Sequence, residues 1–298
     1  MQPAQYLGRV GVWTFAFEPH PAAAVRDAAA ELEDLGYGTI WFGEAFGRDA
    51  YAQASLLLSA TQRAVVATGV ANIFLRDPLA TAMTQRTLAE AYDGRFLLGL
   101  GGHRTTSQPK MALPFHGNAL DVMRTYLTAT DNATLQSAEP THPPRRVLGA
   151  LGPKMLALSA ELAWGAHTYL VPPEHTARAR EILGPDAVLA VEQKVVLDTD
   201  LSRARALVRD SIGIYLGAAH HQVNNLRRLG FTADDLADGG SDRLVDALVV
   251  AGDVDTIGKR VQEHLDAGAD HVCLQPLTAS PTVMPTAEWR ELAALVSL

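Results

Sequence analysis

Acid–base and anion-binding residues in this sequence stand where short apolar runs end. Glu44 follows the run Thr39–Phe42, and His103 follows Gly99-Leu100-Gly101-Gly102. A carboxylate or an imidazole at such an edge can take or give a proton. Each also has a plain structural alternative: a charge at a helix start for Glu44, a loop histidine with a structural partner for His103. The three glycines at positions 99, 101 and 102 let a flat ring approach the backbone, although loops often contain glycine. In Leu148-Gly149-Ala150-Leu151-Gly152-Pro153-Lys154 a glycine turn leads into a proline suited to the first position of a helix. Free N–H groups there, the helix dipole and Lys154 suit a phosphate, and an ordinary turn with a surface lysine is the alternative.

Other chemistries find less support. His220 and His221 are adjacent, so on a helix they diverge by about 100° and chelate one metal poorly. No His, Asp or Glu cluster has metal-ligand spacing, so no metal is expected, and neither a G-x-S-x-G turn nor a Cys/His nucleophile pattern is present. The single cysteine, Cys273, cannot form an internal disulfide, and its apolar neighbours read as a buried strand.

The elements that must position these residues follow a repeated pattern, in which a helix ends in glycine and a β-rich run begins at once. It occurs at Gly36, Gly94, Gly165 and Gly268. Apolar stripes such as Val25, Ala29, Leu32 and Leu35, or Ile257, Val261 and Leu265, mark the helices. The strands are mostly unbroken apolar runs, as expected where both faces are covered. Eight are expected, at Gly8–Thr14, Thr39–Phe42, Val65–Ile73, Phe96–Leu100, Arg146–Ala150, His167–Val171, Val188–Leu197 and His271–Gln275. Eight such alternations imply an α/β fold of the (β/α)8 TIM-barrel type, whose site lies at the C-terminal ends of the strands. An open, doubly wound sheet would want G-x-G-x-x-G after the first strand, and none is there. Two longer stretches, Thr105 to His116 and Tyr215 to Ser241, are too long for tight connectors, and one or both are expected to cover the mouth of the barrel.

At 298 residues the chain suits one barrel domain, 1–298, with no linker dividing it. The net charge of −8 and the lack of basic runs argue against nucleic acid as a partner. No leader pattern and no membrane-length apolar run appear, so a cytoplasmic protein is expected.

Several ordered segments resemble those of the luciferase-like monooxygenase superfamily. Leu35-Gly36-Tyr37-Gly38-Thr39-Ile40-Trp41-Phe42-Gly43-Glu44 is similar to the family's second-strand segment. Ala67-Thr68-Gly69-Val70-Ala71-Asn72-Ile73 with Arg76-Asp77-Pro78 resembles the third strand and its exit. Gly94 to Gly101 resembles the fourth strand, and Ala150 to Lys154 with Ala160 to Ala163 the fifth-strand turn and helix. The resemblance is closest to the actinobacterial branch that uses the deazaflavin coenzyme F420 rather than FMN. It implies hydride transfer on a small organic substrate, with the ring across the strand ends and a non-prolyl cis peptide bond at Gly69–Val70. It further implies cofactor binding by Gly69, Val70, Ala71, Asn72, Gly101 and Gly102, with His167 completing the set and the phosphate tail near Leu151, Gly152, Pro153 and Lys154. Glu44 and His103 are the proton-handling candidates, and a homodimer is expected.

The chain also departs from that pattern. Sugar-phosphate dehydrogenases of the deazaflavin group carry Asp-His after the second strand, where this chain has Glu44-Ala45. Relatives often show Ser-His where Gly102-His103 stands here, and Trp164 replaces a frequent Asp. An FMN-dependent monooxygenase on the same barrel is the alternative function. A third possibility is a barrel that binds a cofactor or metabolite without turnover.

Overall fold

The computed structural model describes residues 3–45, 47–102, 118–218, 220–280 and 282–298. Its strands are β1 (Val10–Thr14), β2 (Thr39–Phe42), β3 (Val65–Thr68), β4 (Ala71–Asn72), β5 (Phe96–Gly101), β6 (Arg145–Gly149), β7 (Gly165–Thr168), β8 (Val188–Val196), β9 (Val249–Ala251) and β10 (His271–Pro276). Pairing runs β1-β2-β3-β5-β6-β7-β8-β10, and β10 also pairs with β1. All of these pairs are parallel, so eight strands close into the expected TIM barrel with helices between them. The short β4 carries the line of β3 onward and pairs with β5, while β9 pairs with the upper end of β8.

Alternation along the strands separates two apolar layers. Val12, Ile40, Val66, Leu98, Leu148, Leu189 and Val272 belong to the layer shared with the helices. Trp13, Trp41, Ala67, Leu97, Val147, Val188, Ala190 and Cys273 fill the barrel itself. Cys273 is fully buried there, as its neighbours implied. A third cluster, with Val208, Ile212, Leu226, Leu244 and Leu248, lies under the segment inserted after β8. That segment folds as helices, Leu201–Ala218, His220–Arg228 and Asp242–Leu248.

Local sequence explains most boundaries. Asp77 and Asp253 cap their helices by accepting from Leu79 N–H and Thr256 N–H. Gly36, Gly94 and Gly268 adopt positive φ just past helix ends, the geometry expected of them.

Four expectations need correction. Gly165 opens β7 instead of ending a helix, and a Cβ there would overlap the carbonyl oxygen of Val188. That strand runs Gly165–Thr168 and not His167–Val171, because Leu170 turns away at φ 55. The expected run Val65–Ile73 is divided after Thr68, where the Gly69–Val70 peptide bond is cis. The three-residue β9 was not expected, since Leu248-Val249-Val250-Ala251 continues the apolar run of the preceding helix. The stretch Thr105 to His116 lies outside the described residues.

Candidate functional site

Two of the expected cofactor-binding segments, Gly69–Asn72 and Gly101–Gly102, meet in one arc over β3, β5 and β6. The β4–β5 register sets Asn72 beside Gly101, and Ile73 N–H donates to Gly101 O at 2.9 Å. The side chain of Val70 lies across the neighbouring strand ends: a Cβ on Gly101 would collide with its Cγ2, and one on Gly149 would stand 3.1 Å from its Cγ1. Glycine at 101 is therefore required by close approach, and Val70 becomes a raised apolar step flanked by bare backbone. Ala71 is buried beneath this step, and Gly102 is exposed at its edge.

His167 lies below that arc, inside the barrel, and not at its mouth. Its ring stacks on Trp41 at 4.4 Å between centroids, and its Nδ1 stands 3.2 Å from Ala190 O. Trp41 Nε1 donates to His271 Nε2 at 3.0 Å, which leaves His271 Nδ1 to donate to Gly8 O at 2.8 Å. Burial pushes His167 down to about 3 and His271 to about 4, so both rings are neutral. A Cβ on Gly69 would stand 2.5 Å from Trp13 Nε1 and 3.0 Å from His167 Nε2. Both nitrogens are buried without a hydrogen-bond partner among the described residues.

Glu44 sits under the arc with both oxygens engaged. Ala50 N–H donates to Oε1 at 3.0 Å, while Asn72 N–H and Arg76 Nη1 donate to Oε2 at 2.8 Å each. Arg76 Nη2 completes a two-pronged pair, and the Glu44 side chain is 3% exposed. The carboxylate thus ties the β2 exit to Asn72 and to the start of the helix Ala50–Ala60. Sequence reading found Glu44 but not its partner Arg76, which lies 32 residues away. The other proton-handling candidate, His103, lies outside the described residues.

The turn Leu151–Lys154 forms a cationic corner beside the arc. Gly152 caps the helix Pro153–Leu162 without any side-chain hydrogen bond. Pro153 brings no N–H and the Met155 and Leu156 N–H groups donate to Gly152 O, so the Lys154 N–H is the one of the first turn offered outward. The guanidinium of Arg228 would stand 3.6 Å from a Cβ on Gly152, and Lys154 is exposed on the first turn. His175 fixes the turn through Nε2 to Leu151 O, 2.9 Å; burial pushes this imidazole down, with the Arg228 and Arg178 charges adding to the effect. The helix dipole, the Lys154 N–H and two cations make a place suited to an anion. Arg228 and His175 escaped the sequence reading, because nothing local links either to this turn.

A second polar group went unassigned in sequence. Lys194 Nζ donates to Tyr169 Oη and Gln275 Oε1, both at 2.6 Å, and to Glu192 Oε1 at 3.2 Å. The signal was present: charged residues two apart in an apolar strand face the same side, here the barrel interior. Among the described residues no group of three or more His, Cys, Asp or Glu side chains could hold a metal ion.

The closed barrel of eight parallel strands with helices between them defines a TIM-barrel protein, with a glycine-flanked step and a cationic helix start at one mouth. The sequence profile of the luciferase-like monooxygenase family matches residues 7–271, and the chain belongs to that family. It is an oxidoreductase of this family. A Mycobacterium tuberculosis protein, provisionally named a coenzyme F420-dependent oxidoreductase, is 27% identical, with 99% of this chain and 100% of that protein covered. Among solved structures, an F420-dependent secondary alcohol dehydrogenase in complex with an F420-acetone adduct superposes with a TM-score of 0.75 at 14% identity, covering 99% of this chain and 98% of that one. The oxygenating constituent of 3,6-diketocamphane monooxygenase from Pseudomonas putida, a type II Baeyer-Villiger enzyme in complex with FMN, gives 0.69 at 14% identity, covering 97% of each chain. At these identities the two structures speak for the fold.

Proposed function

We propose that this chain is a coenzyme F420-dependent oxidoreductase that transfers hydride to or from a small organic substrate. The observation that carries the proposal is the anion seat at Gly152–Lys154, which adjoins the Val70 step on the same mouth of the barrel. The Lys154 N–H and the Lys154 and Arg228 side chains suit a phosphate tail, and the bare backbone at Gly101, Gly102 and Gly149 leaves room for a flat ring over Val70. When bound, the deazaflavin would supply a two-electron carrier that reacts poorly with oxygen.

In this reading Gly69, Val70, Ala71 and Asn72 form the support behind the ring, with Gly101 and Gly102 at its edge and His167 underneath. Leu151, Gly152, Pro153 and Lys154 hold the tail. Glu44 holds Asn72 in place through its hydrogen bond, and His103 keeps the proton-handling role suggested by its position after the glycines. The whole chain, 1–298, serves as one domain of a cytoplasmic homodimer. Among the described residues no helix is long and apolar enough to cross a membrane.

The test is titration of the cofactor-free protein with F420 and, separately, with FMN, followed by fluorescence quenching. Saturable quenching with F420, and weaker or no quenching with FMN, is the expected result. Tight binding of FMN alone would overturn the proposal in favour of a flavin monooxygenase, and binding of neither would remove the cofactor seat.

A further inference from the structure

At the mouth of the barrel, on β8 and the exit of β7, next round from the anion seat, four ionisable side chains form one hydrogen-bonded line. It starts at Glu192, which is fully buried and accepts from Leu170 N–H through its second oxygen at 2.8 Å. It continues through Lys194, equally buried, to the hydroxyl of Tyr169 at 2.6 Å. The Tyr169 and Tyr215 hydroxyls then lie 2.8 Å apart, and Tyr215 belongs to the inserted helix Leu201–Ala218. Both tyrosines are half-buried, so the line passes from the sealed interior to the rim. Tyr169, one step inside that rim, is beside the proposed ring seat: it packs on Trp13 at 5.0 Å between centroids, and Trp13 Nε1 borders Gly69.

We propose that Tyr169 is a proton donor to the substrate, with Lys194 stabilising its phenolate and Tyr215 returning the proton from solvent. The three N–H bonds of the Lys194 ammonium are all used, on Tyr169, Gln275 and Glu192, so Tyr169 Oη is an acceptor there. With Tyr215 donating to the same oxygen, the Tyr169 proton is left pointing at Gln275 Oε1, 3.0 Å away. That proton can turn to a substrate without disturbing the other bonds. Burial and the Tyr215 and Glu192 neighbours push the Tyr169 hydroxyl up, so it keeps its proton at rest. Cys273 is the remaining ionisable group near Lys194, and burial pushes its thiol up and keeps it neutral.

A purely structural role accounts for less of this arrangement. Glu192 alone fixes the Leu170 turn, and Gln222 Nε2 from the inserted segment donates to Leu170 O at 2.5 Å. A lysine and two tyrosines add nothing that the turn requires, and a buried ion pair is weak evidence of stabilisation.

The device also narrows the substrate of the proposed reaction, on which this inference rests. A hydride acceptor that is already cationic, such as an iminium, needs no proton, whereas a neutral carbonyl does. In the reducing direction the hydride forms the new C–H bond with its electron pair. The carbonyl π pair then takes the Tyr169 proton to form O–H, and Tyr215 reprotonates the phenolate and regains its proton from water. The product is an alcohol, and oxidation runs the same transfers in reverse. A carbonyl–alcohol pair is therefore the inferred substrate class.

Two measurements test this. In cofactor-free, nitrogen-15-lysine-labelled protein, exchange of the Lys194 ammonium protons with water should slow in Tyr215→Phe. Unchanged exchange would overturn the relay whatever the protein binds. Separately, with reduced F420 and a panel of small ketones and aldehydes, Tyr169→Phe should bind F420 as the parent does and lose turnover by about 10²–10⁴-fold. The double variant Glu192→Gln/Lys194→Met, which leaves no unpaired buried charge, should lose turnover similarly. Undiminished turnover in Tyr169→Phe would overturn the donor assignment, and F420 binding by the parent without reduction of any carbonyl would overturn the substrate class. Should the parent fail to bind F420, the proposed function fails, and the exchange measurement alone decides the relay.

Discussion

At the scale of single residues, Glu44 sets a chemical residue type in a mechanical position. Its spacing after β2 suits an acid–base group, yet its oxygens accept from Ala50, Asn72 and Arg76. A proton carrier and a holding group give different results on substitution. Glu44→Gln keeps the shape but loses the charge facing Arg76, so stability should fall by about 1–3 kcal/mol, measured by urea unfolding. Affinity for F420 should fall with it, because Asn72 and the Val70 step lose their support. Unchanged stability and affinity with lost turnover would instead identify Glu44 as a proton carrier. The residue itself was legible in the sequence and its constraint was not, since Arg76 meets it only once β2 and β3 lie side by side. Lys194 and Glu192 are the converse case: their period of two in an apolar run pointed inward from the start, while Tyr169 and Tyr215 join them only through tertiary contact.

At the scale of elements, the helix Pro153–Leu162 carries the clearest prediction. Gly152 has φ −88 and ψ 152, a conformation any residue can adopt, and its position has room for a Cβ. Asp is a strong capping residue at such a position, so Gly152→Asp should accept from the Lys154 N–H and add about a few tenths of a kcal/mol of stability. The same carboxylate would occupy the anion seat beside Arg228. Thermal unfolding should therefore shift upward while F420 affinity drops at least about tenfold, a loss of roughly 1.4 kcal/mol. Retained affinity would show that the tail binds elsewhere. The strands framing this turn were mostly legible, because helix-end glycines and apolar runs are local signals. Failures came where local and tertiary forces part company. Tyr169, Leu170 and Val171 look like strand, but Glu192 holds Leu170 N–H and draws the chain off the ladder. Val249–Ala251 looks like helix, but the free upper edge of β8 accepts it as a strand.

At the scale of the whole molecule, the barrel interior makes stability depend on pH. His167, His264 and His271 are buried, and desolvation lowers them to about 3, 3 and 4, so each is neutral in the folded protein. Unfolded, each would titrate near pH 6.5, so below that pH the unfolded chain binds more protons than the folded one. Their contribution is thus fully present above pH 6.5 and is lost as pH falls toward 4. Each histidine costs about 1.4 kcal/mol per pH unit in that window, and the three together about 4. Glu192, raised by burial, works in the opposite sense, because its folded form holds a proton more tightly than the unfolded chain does. Being one group against these three and His175, which burial also pushes down, it reduces the slope without reversing it. Urea unfolding at pH 7, 6 and 5 should show a midpoint nearly constant at first and then falling steeply. Replacing His271 by Gln should flatten the fall by about one third and weaken the interior at neutral pH, since Trp41 Nε1 donates to His271 Nε2. A midpoint that stays level from pH 7 to 5 would mean that these rings accept protons inside the barrel, and a neutral, tightly sealed floor beneath the ring seat would then be untenable.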